Sequence, residues 1–385
     1  MKEKLNLLNL NVLNKMFNIY NPIIILFYYH KFLIIFLINF NNNKMEDNSP
    51  ILPQPGELII NNDYLDPNQN HTNISSLKII QWNIERGYKI DLIISDLLKQ
   101  NADILLLQEI DINCERSNRI NCLTLLAQKL KMSYAYVSEF CELYDKVRKA
   151  KDQGGGVHGN AIFAKFPILK ENSIAIKHKY QPVKWDLEGY SRREPRKGDR
   201  YFIATMFNLN DIFIDVYSIH LEVFCGINER IQQFSDVPLY AENRRKNSEG
   251  KKIIQLIGGD LNTMAHGVAR FSPKYCGNDW MRFKTLGKSE GTWWMENALF
   301  GGKKASENLK SLGFSEDVYR NYEYFEGFVD PWDVEKDFTH EKGIWYKGKL
   351  DWLFIRGGKY INKFTGNDDY TMSDHKYLGM DVEIK

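Results

Sequence analysis

Asp260 and Asn262 stand two residues apart just beyond a short apolar run, Ile253 to Ile257, that closes in Gly258-Gly259. The run is short, rich in β-branched residues and bounded by turn residues, which predicts a buried strand. Side chains on an extended chain alternate with period two, so the acid and the amide can point to the same side. A carboxylate and a carboxamide so placed can hold a water molecule together with an oxygen of a phosphoryl group. The junction would equally suit a turn, because Asp and Asn side chains bond their own backbone. Other clusters of the same kind decide between the two. Asn, Glu, Asp or His recurs at or near the end of an apolar run in Gln81-Trp82-Asn83-Ile84-Glu85, Leu107-Gln108-Glu109, Ser218-Ile219-His220-Leu221, Leu350-Asp351-Trp352 and Ser373-Asp374-His375. The cysteines Cys114, Cys122, Cys141, Cys225 and Cys276 form no CxxC pair and no cluster with His at zinc spacing, so free thiols are expected. The donors on offer are mainly oxygens, the preference of a hard cation such as Mg2+ or Mn2+.

These residues need elements to position them. Leu77 to Ile84 alternates as a strand, and Ile90, Ile93, Ile94, Leu97 and Leu98 follow at helical spacing. Ala102 to Leu107 reads as a buried strand leading to Glu109, and Leu123 to Leu130 as a second helix. Gly154 to Asn160 reads as a glycine-rich loop before the strand Ala161 to Ala164. Backbone N–H groups of such a loop can reach an anion, with His158 and Asn160 as substrate contacts. Arg192 to Arg200 is a basic stretch ahead of the strand Tyr201 to Phe207, and either a solvated loop or a phosphate-guiding one, with Arg193 as its contact, fits it. Ile212 to Ile219 alternates and ends at His220, and Asn228 to Lys246 predicts a helix broken near Pro238. Leu350 to Ile355 and Tyr377 to Ile384 complete the strands. Strands separated by helices predict an α/β fold in which two sheets pack face to face with helices outside.

In their order along the chain, the clusters resemble the endonuclease/exonuclease/phosphatase superfamily of metal-dependent, DNase I-like phosphoesterases. The resemblance covers about residues 77 to 385. It implies a four-layer α/β sandwich whose site lies at one edge of the paired sheets. It also implies that Glu109, Asn83, Glu85 and Asp374 surround a Mg2+ ion, with Mn2+ an alternative. Glu85 stands where the family usually has the shorter Asp or Asn. Asp260 is then expected to orient or deprotonate the attacking water, and Asn262 to fix that water or a phosphoryl oxygen. His375 is expected to stabilise phosphoryl charge with its tautomer set by Asp351. The segment Arg193-Glu194-Pro195 resembles the Arg-Glu-Pro segment of DNase I, which implies a His220–Glu194 pair. The implied reaction is hydrolysis of a phosphodiester or phosphomonoester, with nucleic acid favoured. A phosphoinositide or sphingomyelin-type phospholipid is the alternative substrate, and a binding module of the same fold without activity is the alternative class. Every expected acid, amide and imidazole is present, which favours the enzyme.

Composition bounds the rest. Hydrophobic residues make up 43% and charged residues 26%, the balance of a soluble globular protein, and a net charge of +2 provides no global field toward nucleic acid. A monomer is expected, meeting a phosphate-ester substrate. Residues 1 to 44 differ, with an apolar run from Ile23 to Ile38 interrupted by His30 and Lys31. Two readings stay open. The run is a membrane anchor preceded by Lys2, Lys4 and Lys15, or Met45 is the true start and the enzyme is cytoplasmic or nuclear. Residues 45 to 76, rich in Asn and Pro, read as a linker in which Asn70 and Asn73 match the glycosylation pattern. The aromatics between residues 264 and 348 are expected mainly to pack a satellite core.

Overall fold

A computed structural model describes residues 51–67, 74–185, 194–248, 250–264, 289–343 and 346–384. The readings made for 23–38, Asn70, Asn73, Arg193 and Cys276 lie outside these residues. In chain order the elements are β1 (Leu58–Asn61), β2 (Ser76–Asn83), α1 (Ile90–Gln100), β3 (Ile104–Ile112), α2 (Cys122–Leu130), β4 (Ser133–Glu142), β5 (Gly156–Ala164), β6 (Ser173–Lys177), β7 (Arg196–Gly198), β8 (Tyr201–Leu209) and β9 (Ile212–His220). They continue with α3 (Ile227–Phe234), α4 (Asp236–Lys246), β10 (Ile253–Asp260), α5 (Glu290–Trp294), α6 (Lys303–Ser311), α7 (Glu316–Tyr319), β11 (His340–Lys342), β12 (Tyr346–Gly348), β13 (Asp351–Arg356), β14 (Lys359–Gly366) and β15 (Tyr377–Glu383). No helix among the described residues is long and apolar enough to cross a membrane.

One sheet runs β1-β4-β5-β3-β2-β15-β14 with β7 paired to β4, and the other runs β13-β10-β9-β8-β6. The pairs β2–β3 and β9–β10 are parallel, and the other pairs in both sheets are antiparallel. Alternation sorts each strand's residues between two layers. Ile79, Ile104, Leu106, Val137 and Ile162 of the first sheet meet Ile203, Ile214, Val216, Ile254, Leu256 and Leu353 of the second. On the outer face of the first sheet, Trp82, Leu105 and Leu107 pack on Ile93, Leu97, Leu123 and Leu126 of α1 and α2. On the outer face of the second, Tyr217, Ile219, Ile257, Trp352 and Phe354 pack on α3 and α4 and on Trp294, Tyr322 and Phe325. The result is the four-layer sandwich that the resemblance implies; of the described aromatics in the 264–348 region, Trp293, Trp294, Tyr322, Phe325 and Phe328 lie in the outer core of the second sheet, while Trp332 packs between the sheets.

Two expectations need correction, and a third, the helix break near Pro238, is made more exact. The stretch read as a linker supplies β1, whose Leu58–Asn61 pairs antiparallel with Val137–Tyr134 at the sheet edge. Gly156 to Asn160 are not a loop but the first half of β5, which lies between β3 and β4. Its glycines serve strand crowding, since a Cβ on Gly159 would meet the Val137 carbonyl oxygen at 1.9 Å. Its backbone groups are engaged in the ladders and are not arrayed toward an anion. The helix break falls at Ser235, ahead of Pro238, which sits in the first turn of α4 where a missing N–H does no harm.

The Gly258-Gly259 pair has a packing cause of its own. A Cβ on Gly258 would meet Leu106 Cδ1 at 2.5 Å, and one on Gly259 would meet the Ile219 carbonyl oxygen at 1.9 Å. The obstacle at Gly259 is backbone of a paired strand and cannot swing away. Gly259→Ala should therefore destabilise the fold by about 1–3 kcal/mol, in the range of overpacking, as read by urea denaturation.

Candidate active site

The inner faces of the strands turn from apolar to polar toward one end of the sandwich. Continuing Ile79 along β2 gives Gln81 and Asn83, continuing Leu106 along β3 gives Gln108, continuing Val216 along β9 gives Ser218 and His220, and continuing Leu256 along β10 gives Gly258 and Asp260. Asp351 opens β13, which runs antiparallel to β10, so Asp351 faces Asp260 across the register. Buried amides knit this layer together. Gln81 Nε2 donates to Gln108 Oε1 at 2.8 Å and to Asp351 Oδ1 at 2.9 Å, and Gln108 Nε2 donates to Ser218 Oγ at 3.0 Å.

Above it lies a cavity of about 200 Å³ lined by Arg86, Glu109, His158, Glu194, Arg196, Arg200, His220, Asp260, Asn262, His340, Asp374 and His375, among others. His375 Nδ1 lies 2.7 Å from Asp351 Oδ2, which fixes the Nδ1–H tautomer. Its Nε2 lies 3.8 Å from Asp260 Oδ2 and 3.8 Å from Asp374 Oδ1. Burial alone would lower the basicity of His375, but the carboxylates of Asp351 and Asp260 outweigh it and hold the imidazole well above its usual range. Burial raises the Asp260 carboxyl to about 7, with Asp351 adding to the rise and His375 opposing it. Asn262, with φ 50°, donates its backbone N–H to Asp260 Oδ1 at 2.8 Å and its amide to the Leu221 carbonyl oxygen at 2.9 Å.

Three carboxylates gather beside this group. Glu109 is displaced by a β-bulge: Leu107 pairs with Ala161 and Ile110 with Gly159, so Gln108 and Glu109 together oppose Asn160. The bulge gives Glu109 a φ of 60° and re-aims its side chain. Asn83 Nδ2 donates to Glu109 Oε1 at 3.2 Å and to Asp260 Oδ2 at 3.0 Å, and Asn83 Oδ1 accepts from the Glu85 N–H at 3.1 Å. Glu85 Oε2 in turn accepts the Asp374 N–H at 3.1 Å. Burial, then the neighbouring Asp374 and Glu109 carboxylates, push Glu85 up to about 7. Glu85, Glu109 and Asp374, close enough for the last two to act on Glu85 electrostatically, offer the oxygen donors that suit a hard cation such as Mg2+.

The expected residues do not all converge. His220 Nε2 lies 3.7 Å from Asp260 Oδ2, yet its Nδ1 has no hydrogen-bond partner among the described residues. Glu194 does not pair with it, because Glu194 Oε2 lies toward Arg196 Nη1 at 3.8 Å. Burial, then Arg200, keeps His220 well below its usual pKa and hence neutral. His158 lines the cavity with Nδ1 2.8 Å from Asp111 Oδ1. Asn160 is fully buried below the cavity, and neither amide atom finds a hydrogen-bond partner among the described residues. Sequence reasoning missed Gln81 and Gln108 as supports, and Arg86 and His340 as cavity residues, while Arg196 and Arg200 of the basic stretch do line the cavity. Arg196 stacks its guanidinium 3.7 Å from the Trp185 ring centroid and 4.1 Å from that of Phe140. Its Nε and Nη2 have no hydrogen-bond partner among the described residues. A larger hollow of about 550 Å³, lined by Glu242, Arg245, Gln255 and Arg356, sits at the opposite ends of β10 and β13 and shares no residue with this site.

The sequence profile of the Endonuclease/Exonuclease/phosphatase family matches residues 80–375. Among solved structures, an endonuclease/exonuclease/phosphatase from Beutenbergia cavernae has a TM-score of 0.50 at 13% identity, over 81% of this chain and 72% of that one. A family protein from Leptotrichia buccalis has a TM-score of 0.47 at 16% identity, over 80% and 99% of the two chains. ANGEL2, described as a 2',3'-cyclic phosphatase, in complex with adenosine-2',3'-vanadate, has a TM-score of 0.49 at 13% identity, over 82% and 97%. No curated protein matches the chain.

Behind His158 lies a buried ionic network. Arg116 reaches Asp111 with Nε at 2.7 Å and Nη2 at 2.8 Å, and Glu142 with Nη1 at 3.2 Å. Arg148 Nη2 donates to the same Glu142 oxygen at 2.5 Å. Removing one member of such a network leaves its partners buried and unpaired. Arg116→Ala should therefore lower stability by about 3–5 kcal/mol, measured by denaturant unfolding.

Proposed function

We propose that this chain, which belongs to the endonuclease/exonuclease/phosphatase family, hydrolyses a phosphate ester by attack of water, aided by one hard divalent cation. The observation that carries this reading is the convergence of a raised acid, Asp260, an imidazolium, His375, and the carboxylates Glu109 and Asp374 on one cavity wall, with Glu85 bonded to the Asp374 backbone behind them. Phosphate esters resist hydrolysis because their oxygens repel a nucleophile and their leaving oxygen needs its charge stabilised. The cation, held by Glu109, Glu85, Asp374 and the second lone pair of Asn83 Oδ1, supplies charge neutralisation at those oxygens when bound.

The chain's own residues do the rest. Asp260 accepts the proton of the attacking water. Its lone pairs are directed by the Asn83 amide and the Asn262 N–H, which fix which oxygen faces the cavity. His375 donates a hydrogen bond from Nε2–H to a phosphoryl oxygen, and Asp351 keeps its other nitrogen protonated and its ring in place. His220, neutral, offers Nε2 beside Asp260 as a second contact. Asn262 holds the water or a phosphoryl oxygen at the cavity wall. The N–H groups of Arg196 that have no hydrogen-bond partner among the described residues, with Arg86 and Arg200 lining the same cavity, favour an anionic substrate. Glu194 acts through Arg196 and not through His220.

Hydrolysis of a test substrate such as bis(p-nitrophenyl) phosphate should require added Mg2+ or Mn2+ and stop on chelation. Full activity in excess EDTA would refute the cation's part. Glu109→Gln should weaken Mg2+ dependence and rate together. Asp260→Asn and His375→Ala should each lower kcat at least about 100-fold with folding intact, the scale of a proton-transfer or charge-stabilising group. A near wild-type rate in either variant removes that residue from the mechanism.

A further inference from the structure

We propose that His340, Asp374 and His375 form a second cation site, selective for a borderline ion such as Zn2+, and that filling it draws His375 away from the phosphoryl group and inhibits the enzyme. The inhibitory part rests on the role given to His375 above; the site itself does not.

One nitrogen or carboxylate oxygen from each of the three residues lies within 4.8 Å of the others. The donor set is two imidazoles and one carboxylate, unlike the oxygen donors gathered around Glu85 and Glu109. Borderline ions prefer imidazole, and three such protein ligands with an open position are a common zinc arrangement. His340 is prepared for this role. Its Nδ1 lies 2.7 Å from the Asp374 carbonyl oxygen, which takes the Nδ1–H and leaves Nε2 as the nitrogen with a free lone pair. Its ring stands 4.9 Å from that of His375 and 5.5 Å from that of Tyr346, centroid to centroid.

The backbone around His340 is also fixed. The preceding residue, Thr339, accepts the Lys376 N–H at 2.8 Å through its carbonyl. Its hydroxyl accepts the N–H groups of Leu350 at 2.9 Å and Asp351 at 3.1 Å. Thr339 thus ties the β11 ribbon both to the strand that carries Asp351 and to the segment that carries His375. His340 is held against Asp374 and His375 by these bonds rather than by chance of a surface loop. Asp374 belongs to both donor sets and has two oxygens, so one carboxylate can serve each ion. His375 has only Nε2 to offer, since Nδ1 is held by Asp351. A cation taking that nitrogen displaces its proton to solvent, and with the proton goes the hydrogen bond His375 would give to a phosphoryl oxygen.

The test titrates Co2+, a visibly absorbing stand-in for Zn2+, into the purified full chain at saturating Mg2+. One equivalent should bind with the absorption of an imidazole-ligated ion. His340→Asn should weaken that binding at least about tenfold, the smallest loss expected when a ligand's support or the ligand itself is removed. Glu109→Gln, outside the site, should leave the Co2+ spectrum in place. Zn2+ should inhibit Mg2+-supported hydrolysis of bis(p-nitrophenyl) phosphate, and the half-inhibiting concentration, each protein normalised to its own zinc-free rate, should rise in His340→Asn by the same factor. A Co2+ signal that survives His340→Asn, or that vanishes in Glu109→Gln, places the ion elsewhere and overturns the proposal. The spectrum reads the site without turnover, so a chain that hydrolyses nothing would count against the hydrolytic reading while the Co2+ result still decides the site.

Discussion

Two sheets packed face to face leave one shared layer of side chains between them, and any polar group placed there must be satisfied without bulk water. In this chain the layer is apolar for most of its length and polar at one end. The change is made by successive inner-face positions of the same strands. The hydrogen bonds from Gln81 to Gln108 and Asp351 are what make this end tenable, because they connect side chains from both sheets across the layer. Asp351 is thereby aimed at His375, and His375 stands beside Asp260. The reactive end of the molecule is the continuation of its core.

Smaller devices adjust individual groups on that frame. A bulge in β3 re-aims Glu109, and glycines at 258 and 259 allow β10 to pass Leu106 and Ile219 closely enough to deliver Asp260. Ser373 Oγ donates to the Asn83 carbonyl oxygen at 2.7 Å and accepts the His375 N–H at 3.1 Å, which ties the end of the chain to the first strand block. Burial first, and then repulsion from the Asp374 and Glu109 carboxylates, raises Glu85 to about 7. The proposed cation relieves that repulsion.

Much of this was legible in the sequence because each site block sits at the end of its own strand, where local alternation gives both the element and the facing of its last residues. Asn83, Asp260 and Asp351 are of this kind, whereas Glu109 sits on a bulge inside β3 and His375 two residues ahead of β15. What escaped depends on contacts between distant segments. The glycines before Asn160 looked like a loop, although they answer to the crowding of β4 on β5, which no local period reveals. Leu58–Asn61 is a four-residue edge strand whose partner is β4, so composition alone made it a linker. The expected Glu194–His220 pair fails because Arg196 competes for Glu194. His340 carries no local signal at all; its place follows from Thr339 binding two separated strand ends.

The proposed role of one hard cation is to offset the carboxylate charge at the polar end of the sandwich. Thermal melting of the full chain against Mg2+ concentration tests this without any substrate, since an ion that binds only the folded state raises the melting temperature by mass action. The melting temperature of the wild type should rise through the millimolar range, and that rise should be largely absent in the Glu109→Gln/Asp374→Asn variant, which should also melt higher than the wild type in EDTA. A wild-type melting temperature indifferent to Mg2+, or a rise equally large in that variant, would contradict that role.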